Sequence, residues 1–231
     1  MKSIIAVIIV LVIILGVGAA YYYSAHRALA PTTSTSTPTA TVTTTTTTTT
    51  TSNPYTDTST WQINTESQAG FSIAHPASFS ISENKSSTPT TDWRLNSTDP
   101  GVKVLTITVP QSFEPKTNFA DATLTVGYSK NAQAVASCLT PDPSGGPAVP
   151  TSTAMINGIN FTVFTTSDAG AGNIYKSMSY RTLHAGSCYA VEYTVHSSQL
   201  ANFPASYGLT QYSDATINQV LNLMVGTFKF L

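Results

Sequence analysis

Charge is scarce in this chain of 231 residues, of which only 9% are Asp, Glu, Lys or Arg. Ten basic side chains stand against eleven acidic ones, and the formal net charge is −1. Nucleic-acid binding relies on clustered Lys and Arg that displace counterions from phosphates, and the sequence shows no such cluster. The composition therefore argues against a nucleic-acid partner. It predicts a surface of Ser, Thr, Asn and Gln that suits neutral or weakly polar partners.

Sequence motifs of catalysis and of cofactor binding are also missing. The chain has no Gly-x-Ser-x-Gly elbow, no His-Glu-x-x-His pair, no P-loop and no Gly-x-Gly-x-x-Gly fingerprint. We therefore expect no cofactor and no metal ion, and the sequence favours a protein that is not an enzyme. A hydrolase that gathers Ser, His and Asp from distant positions stays open, because catalytic triads are defined by geometry and not by their order in the chain.

Cysteine occurs only twice, at Cys138 and Cys188. If the domain is exported, as its N-terminal segment indicates, the pair is more simply a disulfide than a metal site, which would need further ligands. Closing this loop would stabilise the domain by about 4 kcal/mol on the chain-entropy estimate. The alternative is two buried free thiols.

The N-terminal segment gives the strongest signal in the sequence. Residues 4–20 form an apolar run without charge, followed at once by three tyrosines at 21–23. The run is just long enough to cross a bilayer, and the tyrosines fit an interfacial aromatic belt. We predict an anchor of residues 1–30 with one transmembrane helix over about 4–23. The N-terminus would be cytoplasmic and the C-terminal domain extracytoplasmic.

A cleaved signal peptide is the alternative for the same segment. Gly18 and Ala20 are the small residues that a signal peptidase needs before Tyr21. The apolar region of signal peptides usually runs for only about 7 to 15 residues, which favours the uncleaved anchor. Both interpretations imply export to the cell surface or the periplasm.

Residues 31–60 are nearly all Thr and Ser with occasional Pro, and they offer almost nothing apolar to bury. Such a segment cannot repay the entropy of ordering its backbone. We predict a disordered stalk that spans on the order of 30 Å.

Residues 61–231 change to short alternating segments between turn residues, as half-buried strands do. Strands are predicted at 102–109, 122–129, 174–183 and 188–196, and Asn157-Gly158 predicts a hairpin. A helix is predicted over 214–225 with Ser213 as its N-cap, because apolar residues recur there at helical spacing. Gly226 is placed to end that helix before a final strand, and a shorter helix is predicted over 131–139.

Several short stretches of this domain resemble PsbP-like domains. Residues 70–76, Gly-Phe-Ser-Ile-Ala-His-Pro, and then Phe79 resemble the opening strand of that family, with His75 where Tyr is commoner and Phe79 where Trp is. Residues 221–230 resemble the family's closing helix and strand, and residues 118–122 look like the version found in bacterial envelope proteins. The similarity covers roughly 70–231.

This resemblance implies an α+β fold, with an antiparallel β-sheet and helices packed on its faces as an α/β/α sandwich. The better-known relatives are protein-binding or assembly modules and generally not enzymes. By analogy, the resemblance therefore implies a binding role for this chain.

Four polar side chains of the domain are candidates for a functional site: His75, Asp121, Glu192 and His196. His75 is more simply a packed residue at a strand end. Cys188, Glu192 and His196 have metal-ligand spacing only on a helix, since residues four apart in a strand are roughly 13 Å apart. Asp121 and Glu192 are more simply solvated surface charges than a catalytic carboxylate pair.

The leading hypothesis is a membrane-tethered, extracytoplasmic domain that binds an envelope protein or a polymer such as a polysaccharide without catalysis. The alternatives are a cell-surface hydrolase whose active site follows no known motif and a purely structural envelope protein. The tether, the stalk and the missing catalytic motifs together favour the binding module.

Overall fold

A computed structural model of the protein describes residues 55–84, 86, 88–141 and 149–231, with the backbone alone for residues 149–151. The predicted anchor and residues 31–54 of the predicted stalk lie outside the described residues. No helix in the described ranges is long and apolar enough to cross a membrane.

The described residues form ten strands, which pair antiparallel, and two α-helices. The elements are β1 (Gln62–Glu66), β2 (Phe71–His75), β3 (Ser80–Glu83), β4 (Val102–Val109), β5 (Phe119–Ser129), α1 (Ala132–Ala136), β6 (Val149–Ile156), β7 (Ile159–Gly170), β8 (Asn173–His184), β9 (Ser187–Ser198), α2 (Asp214–Gly226) and β10 (Lys229–Phe230).

Seven strands form one large sheet in the order β3-β4-β5-β9-β8-β7-β6. Strands β5 and β9 lie near its centre and pair along most of their length, with Leu124 opposite Tyr193. Asn157 and Gly158 form the predicted hairpin turn between β6 and β7 and have φ angles of 47° and 79°. Positive φ at both positions is the conformation that Asn and Gly adopt at least cost.

The alternation of side chains gives this large sheet two unlike faces. The apolar face carries Ala122, Leu124 and Val126 of β5 with Val191, Tyr193 and Val195 of β9. The polar face carries Asp121, Thr123 and Thr125 of β5 with Glu192, Thr194 and His196 of β9. The division of β5 and β9 between two faces is the one that the sequence predicts.

A layer made of α2 and a second sheet, in the order β1-β2-β10, covers the apolar face. Phe228 lies at the centre of this contact, and its ring centroid is 5.4 Å from that of Phe71 and 5.9 Å from that of Phe161. All three rings are fully buried. Burial of such a side chain contributes about 1.5–3 kcal/mol, so this layer supplies much of the folding energy.

Helix α2 begins where the sequence predicts. The Ser213 hydroxyl oxygen accepts a hydrogen bond from the N–H of Thr216 at 3.2 Å, which makes Ser213 the N-cap. Gly226, predicted to end the helix, is its last residue. The predicted apolar stripe is buried: Ile217, Val220, Leu221, Met224 and Val225.

The polar face is covered at one end by α1 and by the residues around Trp93. The predicted disulfide between Cys138 and Cys188 ties α1 to β9, with the two Cα atoms 5.6 Å apart. Helix α1 is shorter than the predicted 131–139 and spans only five residues.

Trp93 lies so close to β5 that a Cβ atom on Gly127 would be 2.5 Å from the Trp93 carbonyl oxygen. Position 127 therefore requires glycine.

Folded structure begins before residue 61, where the sequence places the end of the stalk. The Tyr55 ring packs against Phe113 at 4.7 Å and against Phe79 at 5.5 Å between ring centroids. Asp57 then caps a 3₁₀ turn at Thr58–Thr60.

The architecture of the described part is α+β, with antiparallel sheets and few helices. Helix α2 and the small sheet cover the apolar face, as the expected layering requires. The helix on the polar face, α1, has only five residues, so in the described ranges this face carries much less helix than the apolar face.

Candidate functional site

The polar face carries rows of hydroxyl side chains across several strands. Thr125 lies opposite Thr106 of β4, and their hydroxyl oxygens are 3.4 Å apart. Thr194 lies opposite Ser177 of β8, with hydroxyl oxygens 2.8 Å apart. Because these positions share one face, the antiparallel register itself assembles a surface of Ser and Thr hydroxyls.

Residues 94–97 cross this surface and leave a hollow on each side. The first hollow has a volume of about 440 Å³ and is lined by residues that include Asp92, Lys103, Thr123, Thr125, Glu192 and Thr194. The second has a volume of about 520 Å³ and is lined by residues that include Thr166, Asp168, Tyr175, Ser177 and Thr194.

Leu95, Asn96 and Thr194 line both hollows, so the two are neighbours on one continuous surface. We call this surface the hydroxyl groove. Each hollow falls within the range of about 300–1,000 Å³ that is usual for ligand sites.

Glu192 holds the segment that divides the groove. Its Oε2 accepts the N–H of Leu95 at 2.6 Å, and its Oε1 accepts the hydroxyl of Ser179. The residue is only 5% exposed, and burial raises the pKa of its carboxyl, against the opposing effects of the Arg181 charge and the two hydrogen bonds. The expectation of a solvated surface charge is wrong for Glu192, because β9 is a central strand and residue 95 lies over it.

Arg181 supports this carboxylate from the next strand. It is 1% exposed, and its Nε lies 3.9 Å from Oε1 of Glu192 and donates to Oγ of Ser179 at 2.8 Å. Its guanidinium carbon lies 4.4 Å from the ring centroid of Phe164. Arg94 is also buried and adds a second positive charge that acts on Glu192. Arg181 and Glu192 thus face each other at the base of the groove, and Arg94 and Glu192 also line its first hollow.

His196 and Asp121, two of the candidates from the sequence, meet at the far end of the polar face. Nδ1 of His196 is 3.1 Å from Oδ2 of Asp121, and its Nε2 is 2.9 Å from Oδ1 of Asn173. The ring of Tyr175 stacks on the imidazole at 4.6 Å between centroids. Both ring nitrogens are thus engaged. Among the described residues no hydroxyl or thiol hydrogen-bonds to this ring, although a triad needs a nucleophile there.

Asp121 and Glu192 are not brought together. Asp121 lies opposite His196 in the β5–β9 pairing, whereas Glu192 lies opposite Thr125. Four residues along a strand separate the two carboxylates by roughly 13 Å. They therefore do not form a catalytic pair.

His75 lies on another part of the molecule, at the end of β2 in the small sheet. It is buried, and its Nδ1 is 2.9 Å from the carbonyl oxygen of Pro76. This placement agrees with a packed residue at a strand end, and it keeps His75 apart from the hydroxyl groove.

In the described ranges no group of three or more His, Cys, Asp or Glu side chains is arranged to hold a metal ion. Cys188, one of the three residues with helical metal spacing, is bonded to Cys138. The other two, Glu192 and His196, lie four residues apart in strand β9, which puts them roughly 13 Å apart.

Sequence reasoning missed Ser179 and Arg181 as members of the site. The signal that places them is the turn at Ala185-Gly186, where both residues have positive φ, 46° and 74°. A two-residue turn there puts Glu192 opposite Ser179 in β8, and that is the register observed.

These features define an α+β domain with antiparallel sheets and a hydroxyl-lined groove on one face. No protein-family model and no curated protein matches the chain.

Among solved structures, the chain is similar to cyanobacterial PsbP (CyanoP) from Synechocystis sp. PCC 6803, with 8% identity, 74% of this chain and 93% of that chain covered, and a TM-score of 0.40. It is also similar to a crystal structure from Bacteroides thetaiotaomicron VPI-5482, with 10% identity, a TM-score of 0.40 and 74% of this chain covered. The match spans 49% of that second chain, about half its length.

A PsbP structure is thus among the similar ones, in line with the resemblance in the sequence. At a TM-score of 0.40 neither likeness carries an argument about what this chain does. The functional argument rests on the groove.

Proposed function

We propose that this chain is a membrane-tethered, extracytoplasmic domain that binds a component of the cell envelope through its hydroxyl groove, without catalysis. The observation that carries the proposal is the contrast between the two faces of the large sheet. One face is packed under α2 and the small sheet, whereas the other exposes half-buried hydroxyl side chains around two hollows. Hydroxyl side chains outnumber charged ones among the residues that line these hollows. Charged side chains would be enough to keep such a face soluble, so solubility alone does not explain the hydroxyl groups.

The apolar run at 4–20 and the Thr-rich stalk support the location. A flexible chain of that length spans on the order of 30 Å, which would let a tethered domain reach polymers and proteins of the envelope. Protease added to intact cells tests this part. Cleavage of the domain from the outside is expected, while a chain that stays intact until the cells are lysed would contradict it.

Capture of envelope material tests the binding role. The full chain, purified in detergent and immobilised through its N-terminus, is exposed to envelope fragments of the source cells. We expect retention by the wild-type chain and its loss in Thr125→Trp, whose indole fills the first hollow. Thr153→Trp, on the exposed edge strand β6, is the matched control. Equal retention by all three chains, or none by the wild type, would refute binding through the groove.

A cell-surface hydrolase is the second candidate, and the pair of His196 with Asp121 favours it. Against this role, Asn173 engages the ring nitrogen on which a nucleophile would have to lie. Turnover of ester, peptide or glycoside substrates that disappears in His196→Ala would establish the hydrolase. A purely structural protein would instead show no effect of any substitution in the groove.

A further inference from the structure

We infer that the occupant of the hydroxyl groove is a neutral polysaccharide that crosses both hollows. This inference rests on the proposed binding function and names the chemical class of its partner. Five properties of the groove carry it: its charge, its hydrogen-bonding groups, its single aliphatic side chain, its exposed aromatic ring and its continuity.

The two cations that line the first hollow, Lys103 and Arg94, are matched there by the carboxylates of Asp92 and Glu192. Nζ of Lys103 lies 2.6 Å from Oδ2 of Asp92 at the rim of the first hollow. The carboxylate of Glu192 is turned to Leu95 N–H and Ser179 under the floor. The second hollow adds the exposed carboxylate of Asp168. An anionic polymer would meet no free cluster of cations among the described lining residues, and a neutral one needs none.

Hydroxyl groups dominate the hydrogen-bonding surface. The side chains of Thr123, Thr125, Ser177 and Thr194 each supply a group that both donates and accepts, and Asn96 adds an amide. A sugar hydroxyl has the same double capacity. Because Ser177 and Thr194 already pair at 2.8 Å, a bound hydroxyl extends an existing chain of hydrogen bonds instead of having to break one.

A protein partner fits this groove less well. Protein interfaces draw most of their energy from several aromatic and apolar anchors that are buried at the centre. The residues that line the two hollows include one aliphatic side chain, Leu95, and one aromatic side chain, Tyr175. Peptides bound as an added strand use the free edge of a sheet, and the groove lies on a face.

Tyr175 supplies the flat surface on which a sugar ring can lie. It is 37% exposed at the second hollow, and its ring is held parallel to His196 with an interplanar angle of 14°. His196 is in turn fixed by Asp121 and Asn173. An aromatic ring held in one orientation presents an apolar body and a polar tip at little entropic cost.

The shared lining residues argue for a polymer instead of a single sugar. Asn96 and Thr194 belong to both hollows, which together offer about 440 and 520 Å³ on either side of residues 94–97. A chain of sugars that passes across this segment fills both hollows, and one sugar unit fills only one.

Co-sedimentation with insoluble neutral polysaccharides tests the inference. The probes are cellulose, β-1,3-glucan, mannan and starch. The full chain is kept in a detergent that has no sugar headgroup, because such a headgroup would compete with the probes for the groove. We expect at least one probe to retain the wild-type chain, and retention to be equal at about 0.05 and 0.5 M salt, since no ion pairs are used. Retention that disappears at high salt would overturn a neutral ligand.

Variants assign the binding to the groove. Thr194→Val removes the hydroxyl shared by both hollows with little change of volume and should weaken binding about tenfold, as should Tyr175→Ala. Thr194→Ser keeps the hydroxyl and should restore binding, which separates a lost contact from a misfolded chain. Thr153→Val and Tyr207→Ala, which change an exposed Thr and an exposed Tyr that do not line either hollow, are the matched controls.

Equal retention of Thr194→Val and wild type would overturn the inference, and so would failure of every probe to retain the wild-type chain. The proposed function has a separate outcome. If envelope fragments still bind the wild-type chain but not Thr125→Trp, and protease treatment of the fragments abolishes that binding, the partner is a protein. The binding module then stands and the polysaccharide does not.

Discussion

The two faces of the seven-stranded sheet differ in what their side chains do, although the same strands build both. On the apolar face, alternate residues of β5 and β9 are buried under α2 and the small sheet. On the polar face, the residues between them include Thr, Glu, Asp and His, and four of these, Thr123, Thr125, Glu192 and Thr194, line the two hollows. Stability therefore depends mainly on one set of positions, and the binding that we propose would depend on the positions next to them in sequence.

The largest expected effect lies on the apolar face. Phe228→Ala should lower the free energy of unfolding by about 3–5 kcal/mol, because the ring packs between Phe71 and Phe161 and leaves a cavity. Urea unfolding of the full chain, followed by tryptophan fluorescence, measures the loss. Leu231→Ala, at a side chain 66% exposed, should change it by less than about 0.5 kcal/mol. Equal losses at both positions would contradict the assignment of the core.

Loss of the disulfide, at the covered end of the polar face, should have the next largest effect on stability. Replacing Cys138 and Cys188 together by Ala should cost about 2–5 kcal/mol. Trp93 lies in the small buried cluster beside this bond, and Trp61 lies in the main core. Replacing one tryptophan by Phe leaves the fluorescence of the other, so the unfolding of each region can be followed separately. An unfolding midpoint that does not respond to reduction of the bond would contradict this prediction.

Gly127→Ala tests the close approach of Trp93 to β5. The new Cβ atom would lie 2.5 Å from the Trp93 carbonyl oxygen, so we expect a loss of about 1–3 kcal/mol from overpacking. Gly170→Ala is the matched control, since a Cβ atom there would meet nothing within 4 Å. A Gly127→Ala protein as stable as the control would show that Trp93 does not press on the sheet.

Glu192→Gln should change how stability depends on pH. Burial raises the pKa of this carboxyl above its unfolded value of about 4.5, so its contribution is fully present below that pH and is lost as pH rises through the folded pKa. The stability of the wild-type chain relative to Glu192→Gln should therefore fall as the pH rises from about 4.5 toward neutral. A relative gain over that range would mean that Arg181 and Arg94 outweigh burial.

Local signals in the sequence account for the parts of this fold that were predicted correctly. Alternation placed the two faces of β5 and β9, Asn157-Gly158 placed one hairpin, and the N-cap Ser213 placed α2. Each depends on residues within a few positions of one another. The strands followed from such signals, the disulfide from the expectation of export, and the α+β class from the resemblance to PsbP-like domains.

The functional site depends on pairings between residues far apart in the chain. The contact of His196 with Asp121 follows from the β5–β9 register, and no short turn connects these two strands. Residues 94–97 lie on Glu192 because of one hydrogen bond from Leu95, which no periodicity indicates. Glu192 is interpreted from the sequence as a solvated charge, although the turn at Ala185-Gly186 indicates the register that places it opposite Ser179.

Photo-cross-linking in the source cells tests most directly whether the hydroxyl groove is the binding surface. A benzophenone side chain replaces Tyr175 in the groove in one chain and Tyr207, another exposed tyrosine, in a second chain. We predict that illumination links position 175, and not position 207, to envelope polysaccharide, in an adduct that resists protease. No adduct at position 175, or equal adducts at both positions, would contradict the central claim that this groove is the binding surface.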